Sequence, residues 1–168
     1  MITRHWGFRV YGLPKPKGSM KCIGARGTRK HVLVEQVDDG GWRQQVAAMA
    51  RRCVEERADP QQPIHVEITF TIPRPKSHFG TGANARKVKL GAQVWPSTHG
   101  TGDKDKLERL VLDALQDAGV LVNDAQVVSG FTEKQYDAPH PGQEPWTRGG
   151  DVLDRPGATV RIRPLGLA

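Results

Sequence analysis

Cysteine, aromatic residues and long apolar runs are all scarce in this chain, and each scarcity removes a class of protein. Two cysteines, Cys22 and Cys53, stand in no CxxC spacing and the six histidines are scattered, so the sequence offers no structural zinc site. No run approaches the ~18 apolar residues of a membrane span. The first ten residues, MITRHWGFRV, carry charge where a secretion signal needs an apolar segment. A cytoplasmic location with reduced thiols is expected. Aromatics make up 6% and hydrophobic residues 37% of 168 residues, enough for the modest core of a single domain spanning 1–168.

Acidic residues are missing from two whole stretches. Before Glu35 there is none, while Arg4, Arg9, Lys15, Lys17, Lys21, Arg26, Arg29 and Lys30 accumulate. Between Glu67 and Asp103 there is again none, against Arg74, Lys76, Arg86, Lys87 and Lys89. A surface charged only for solubility intersperses both signs. With a formal charge of +7 and a pI near 9.7, the pattern points to a cationic face for a polyanion, and Lys15, Lys17, Lys21, Arg74, Lys76, Arg86, Lys87 and Lys89 are its candidate DNA contacts.

Glycine and proline, 19 and 12 in number, are plentiful and predict long connections between few elements. Alternation places a strand at Trp6–Tyr11 and a clearer one at Ile64–Ile72, closed by Pro73. Further strands are expected within Gln126–Tyr136, where alternation is poor, and through Val160 and Ile162. Residues 20–34 suggest a basic hairpin about Gly24–Thr28. A helical period sets Trp42, Val46, Met49, Ala50, Cys53 and Val54 on one stripe. A second helix begins near Asp103, lines up Leu107, Leu110, Val111, Ala114, Leu115 and Ala118, and stops at Gly119. The expected fold class is therefore α+β, a mixed sheet of about four strands packed with two main helices. Residues 74–102 form a long basic loop, expected to be mobile without DNA. No role is assigned to 137–157.

The most informative stretch is GTGDKDKLERLVLDALQDAGVLVNDAQVV, from Gly100 to Val128. An Asp-x-Asp pair opens the helix, and Asn123-Asp124 follows an apolar run beyond it. If the chain reverses at Gly119 and runs back extended, Asp124 reaches Asp103 and Asp105. Crowded carboxylates need a cation, and hard oxygen donors suit Mg²⁺, with Mn²⁺ as a substitute. The bland alternative is also coherent: aspartate is a preferred helix cap, and acids favour the positive end of the helix dipole.

This segment resembles the RusA family of Holliday junction resolvases. The family pattern D-x-D-[NK]-L-x-[KR] corresponds to Asp103-Lys104-Asp105-Lys106-Leu107-Glu108-Arg109, then A-x-x-D-A-L to Leu112-Asp113-Ala114-Leu115, and D-D-A-Q-[VI] to Asn123-Asp124-Ala125-Gln126-Val127. About 30 residues match closely. More loosely, the Gly12-Leu13-Pro14 turn with its basic follow-on, the Trp42 helix and the strand before Pro75-Lys76-Ser77-His78 are similar too. The resemblance implies a metal-dependent, homodimeric endodeoxyribonuclease of a bacterial or phage-infected cell that nicks four-way junctions in pairs during recombination, repair or phage DNA processing. Asp103, Asp105 and Asp124 would be its metal ligands, and Arg109 its functionally important basic residue. Two positions depart from the pattern: Asn123 replaces the first acid of the usual Asp-Asp pair, and Arg109 stands where many relatives have lysine. An arginine cannot donate a proton but can grip a phosphate through its fork. A helix-surface pair with Asp105 is the alternative for Arg109.

Other nucleotide and metal enzymes fail at particular residues. An EF-hand is excluded by Lys106-Leu107, and a P-loop by the absence of GxxxxGK[ST] around Gly80-Thr81-Gly82 and Gly100-Thr101-Gly102. The reading from another class is a non-catalytic basic DNA-binding protein whose aspartates only cap a helix.

Overall fold

A computed structural model describes residues 5–16, 20–23, 32–35, 41–55, 59–143 and 151–166, with the backbone alone for 20–23 and 32–35. The alternation read at 64–72 produces its central strand. β4 (Ile64–Ile72) buries Ile64, Val66, Ile68, Phe70 and Ile72 against the helices. Each such side chain stabilises the fold by roughly 1.5–3 kcal/mol. β1 (Trp6–Tyr11) and β6 (Gly157–Pro164) contribute Phe8, Val10, Val160 and Ile162 to the same layer. The strand order is β1-β6-β4-β5, antiparallel except that β5 (Val127–Tyr136) runs parallel to β4. β2 (Met20–Ile23) and β3 (Val32–Glu35) pair antiparallel in a separate two-stranded sheet, as the hairpin reading expects; the turn about Gly24–Thr28 lies outside the described residues.

Poor alternation in β5 has a physical origin. The strand pairs with β4 from Ile64↔Val127 to Ile72↔Tyr136, so backbone bonding sets it while its side chains sit at a sheet edge. Val128 and Phe131 are consequently exposed.

Two helices cover one face. α1 (Trp42–Cys53) buries Trp42, Val46, Ala47 and Ala50, and α2 (Lys104–Asp117) buries Leu107, Leu110, Val111, Ala114 and Leu115. Arg43 joins them through a two-pronged contact with Asp117, Nε to Oδ2 at 2.6 Å and Nη2 to Oδ1 at 2.9 Å. α2 ends where Gly119 takes a left-handed turn at φ 74°, a conformation that costs glycine no Cβ clash. The amides of Val120 and Leu121 then donate back to Leu115 O. Among the described residues no helix is long and apolar enough to cross a membrane.

The 74–102 segment differs from the expected featureless loop. Short 3-10 turns at Lys76–His78, Gly82–Asn84 and His99–Thr101 and a Phe79↔Val88 bridge organise it. Arg74 is its anchor. Only 5% exposed, its guanidinium donates to Ala138 O (2.7 Å), Gln93 O (2.7 Å) and Val94 O (3.4 Å), and it lies 4.1 Å from the centre of the Tyr136 ring. Residues 137–143 brace the loop from the other side. Gly142 N–H donates to His140 Nδ1 at 3.0 Å, which leaves Nε2 as the donor to Leu90 O at 3.1 Å.

Candidate active site

The head of α2 is set by the turn that precedes it. Gly102 has φ 78° and packs against Pro16, so Pro16 lies beside the helix start. Lys134, reaching over from β5, donates to Gly102 O at 2.7 Å and to Thr101 Oγ1 at 3.2 Å. Thr101 Oγ1 in turn has the carbonyls of Pro96 (2.8 Å) and Thr98 (2.7 Å) within reach of its single hydroxyl hydrogen. Burial lowers the Lys134 pKa, and the neighbouring Asp103 carboxylate opposes that shift. Lys134 thus ties the end of the sheet to the Asp-x-Asp turn.

Asp103 occupies the N-cap position with extended backbone, φ −74° and ψ 134°, yet its side chain makes no capping hydrogen bond. Its Oδ2 instead faces Lys106 Nζ at 3.1 Å. Asp105 sits in the exposed first turn. Arg109 is exposed one turn further on, and among the described residues no ion pair joins it to Asp105. Capping therefore does not account for the Asp103 carboxylate, and helix pairing does not account for Arg109.

Asp124 stands elsewhere. Asn123 caps a 3-10 turn at Asp124–Gln126: its Oδ1 accepts from Ala125 N–H at 2.8 Å, and Gln126 Oε1 accepts from the Asn123 amide at 3.2 Å. Gln126 Nε2 donates to Asp59 O and Gln62 O, which fixes this turn at the starting edge of β4. The exposed Asp124 is thus at the end of the sheet where α2 finishes, whereas Asp103 is at the end where α2 begins. The 14 residues of α2 separate these ends by about 21 Å. The expected return from Gly119 to Asp124 along the helix is not the path taken: β5 makes the return, and it begins only after Asp124. Among the described residues of one chain, no three histidine, cysteine or acidic side chains stand together as a metal site.

The candidate DNA contacts also separate. Lys76, Arg86, Lys87 and Lys89 are exposed on the 74–102 loop, Lys89 Nζ donating to Ser77 O at 2.9 Å. Lys15 is half-buried and has an interaction partner. Lys17 and the Lys21 side chain lie outside the described residues. Arg74 is a correction: its guanidinium is consumed inside the protein, so it organises the loop and presents no free charge. Lys134 is the residue that pattern reading missed. Its signal was available, since Thr132, Lys134 and Tyr136 share the helix-facing side of β5 and a lysine there needs partners.

The family model described as Endodeoxyribonuclease RusA matches residues 14–144, most of the chain. Among curated proteins no match is found.

Proposed function

The chain belongs to the RusA endodeoxyribonuclease family, and on that premise we propose that it resolves four-way DNA junctions by paired, Mg²⁺-dependent nicks as a homodimer. The observation that carries this reading is the head of α2, where Asp103 and Asp105 offer carboxylate oxygens that the helix cap does not use. Such hard donors fit Mg²⁺. One protomer supplies two of them at that point, and Asp124 lies at the far end of the same helix. A two-fold pairing of copies provides the missing donor if Asp124 of each chain meets Asp103 and Asp105 of the other, and the same symmetry gives two sites for two nicks.

When bound, the metal supplies an activated water and neutralises charge building on the phosphate. The protein's own contributions follow from position. Asp103 and Asp105 would hold the ion at the head of α2, where the backbone dipole also favours phosphate oxygens. Arg109, one turn on, offers its fork to a non-bridging oxygen. Lys134 fixes the turn that aims Asp103. Lys76, Arg86, Lys87 and Lys89 meet the backbone of the DNA arms. The test is nicking of a synthetic four-way junction and of a linear duplex, with Mg²⁺ or with chelator. Metal-dependent cutting of the junction is expected; binding without cutting would leave a non-catalytic DNA-binding protein.

A further inference from the structure

The sheet has a second face, turned away from the helices, that none of the residues assigned so far uses. Strand pairing brings His65 and Glu67 of β4 beside Arg163 and Arg161 of β6, and beside Ser129 and Phe131 of β5. Phe131 is 49% exposed on this face, although an aromatic ring on a sheet normally seeks cover. A concavity of about 510 Å³ lies next to it, lined by Trp6, His65, Glu67, Arg161 and Arg163 among others.

Its charges are sorted. The buried Asp151 holds Arg161 by one nitrogen, and the Arg161 side chain remains 50% exposed. Among the described residues Arg163 has no ion pair or side-chain hydrogen bond. Glu67 faces His65, whose Nε2 lies 3.2 Å from Oε1, and His65 Nδ1 meets Ser129 Oγ at 2.8 Å. Glu67, and Glu133 beside Phe131, are thus engaged by neighbouring side chains, while Arg163 and the part of the Arg161 guanidinium that Asp151 does not hold remain open to the concavity.

An exposed aromatic ring beside arginines on an open sheet is a stacking platform with phosphate clamps. Every base has a face to stack, so such a surface takes unpaired nucleotides with little regard to sequence. Phe131 and Arg161 flank Glu67 from opposite sides, two strand spacings or about 9.6 Å apart. We propose that this sheet face binds a single-stranded segment of DNA, one base stacking on Phe131 and its phosphates held by Arg161 and Arg163. Unpaired nucleotides occur in branched DNA at gaps and wherever the protein opens base pairs near the branch. The proposal goes beyond nicking and does not depend on it.

The experiment is fluorescence anisotropy of a labelled oligothymidylate, with chelator present, on the full chain. Phe131→Ala should weaken binding at least about fivefold, and Phe131→Trp should keep it, because stacking needs a ring. Phe131→Leu should bind like the alanine variant. Arg161→Gln with Arg163→Gln should weaken binding and reduce the salt slope by about 1.4, from two lost phosphate contacts on a single strand. Phe131 is half exposed, so its variants are expected to fold, and melting curves check this. A parent that does not bind the oligonucleotide, or variants that bind as the parent does, would overturn the proposal. So would light scattering that shows Phe131→Ala splitting a dimer while single-strand affinity is unchanged, since the face would then belong to a second copy. A parent that nicks junctions yet ignores Phe131→Ala refutes this inference alone; one that binds single strands through Phe131 but never nicks refutes the nuclease reading alone.

Discussion

Replacing Arg74 by alanine tests whether the basic loop is built on the fold or merely attached to it. Two of its hydrogen bonds, to Ala138 O and Gln93 O, are 2.7 Å long and come from a charged donor in a buried setting. Each is worth roughly 1.5–3 kcal/mol. The contact with Tyr136 at 4.1 Å adds about 1–2 kcal/mol. These contributions do not simply sum, because the freed carbonyls regain water once the loop loosens, so a net loss of about 3–5 kcal/mol is expected. For a chain of this size that lowers Tm by about 6–20 °C. Arg74→Lys should fall between, since one ammonium cannot serve both carbonyls in the geometry of a fork. The assay is thermal unfolding by circular dichroism, with limited proteolysis to locate the opened segment. A second readout is spectroscopic: burial raises the Tyr136 phenol pKa and Arg74 pulls it down, so Arg74→Ala moves its titration up where the loop stays packed and down toward the ordinary phenol range where the loop opens to water. A melt within about 2 °C of the parent, with no new cleavage between 74 and 102, would refute the reasoning.

Arg109→Ala should abolish most nicking with a stability change of no more than a few tenths of a kcal/mol, and Arg109→Lys should retain part of the rate; parallel melts and nicking time courses check both. Lys87→Ala with Lys89→Ala should weaken junction binding and flatten its salt dependence by about 1.8 if both meet duplex phosphates, read by titration at several salt concentrations. Lys134→Met should raise the Mg²⁺ concentration needed for nicking, with Lys134→Arg recovering part of it, because the turn that aims Asp103 loses its tie. Asp117→Asn should cost about 1 kcal/mol or less at neutral pH, as the contact is exposed. The Arg43 hydrogen bond lowers the Asp117 pKa, so that difference is present above the ordinary carboxylate range and vanishes as pH falls through the lowered pKa, which denaturant titrations at several pH values measure.

Element by element, the fold was legible wherever side-chain periodicity coincides with burial. β4 and both helices have one face against the core, so their patterns survive in the sequence. β5 was legible only roughly, because an edge strand paired by its backbone imposes little on its side chains. The 74–102 loop read as featureless because its order comes from Arg74 bonding to carbonyls up to 64 residues away, a relation that no local pattern encodes. At the candidate site, sequence spacing identified the Asp-x-Asp pair at the head of α2, but the expected approach of Asp124 to it does not occur within one chain, and the cap formed by Asn123 was not foreseen. Spacing limits how far five residues can reach; it does not fix the direction in which they leave a glycine turn. Lys134 was overlooked because it lies 31 residues from Asp103 and the two meet only through the β5–α2 packing.

The central claim is a metal-dependent nuclease whose sites are shared between two copies, and subunit mixing tests it most directly. Asp103→Asn and Asp124→Asn should each be inactive alone on a four-way junction with Mg²⁺. Mixed in equal amounts and allowed to exchange, about half of the dimers pair one variant with the other. In such a dimer one site carries both substitutions and the other carries neither. The account therefore predicts that the mixture recovers nicking of one strand per junction without paired cutting. Continued inactivity of exchanged dimers, or nicking by either variant alone at the parent rate, would contradict it.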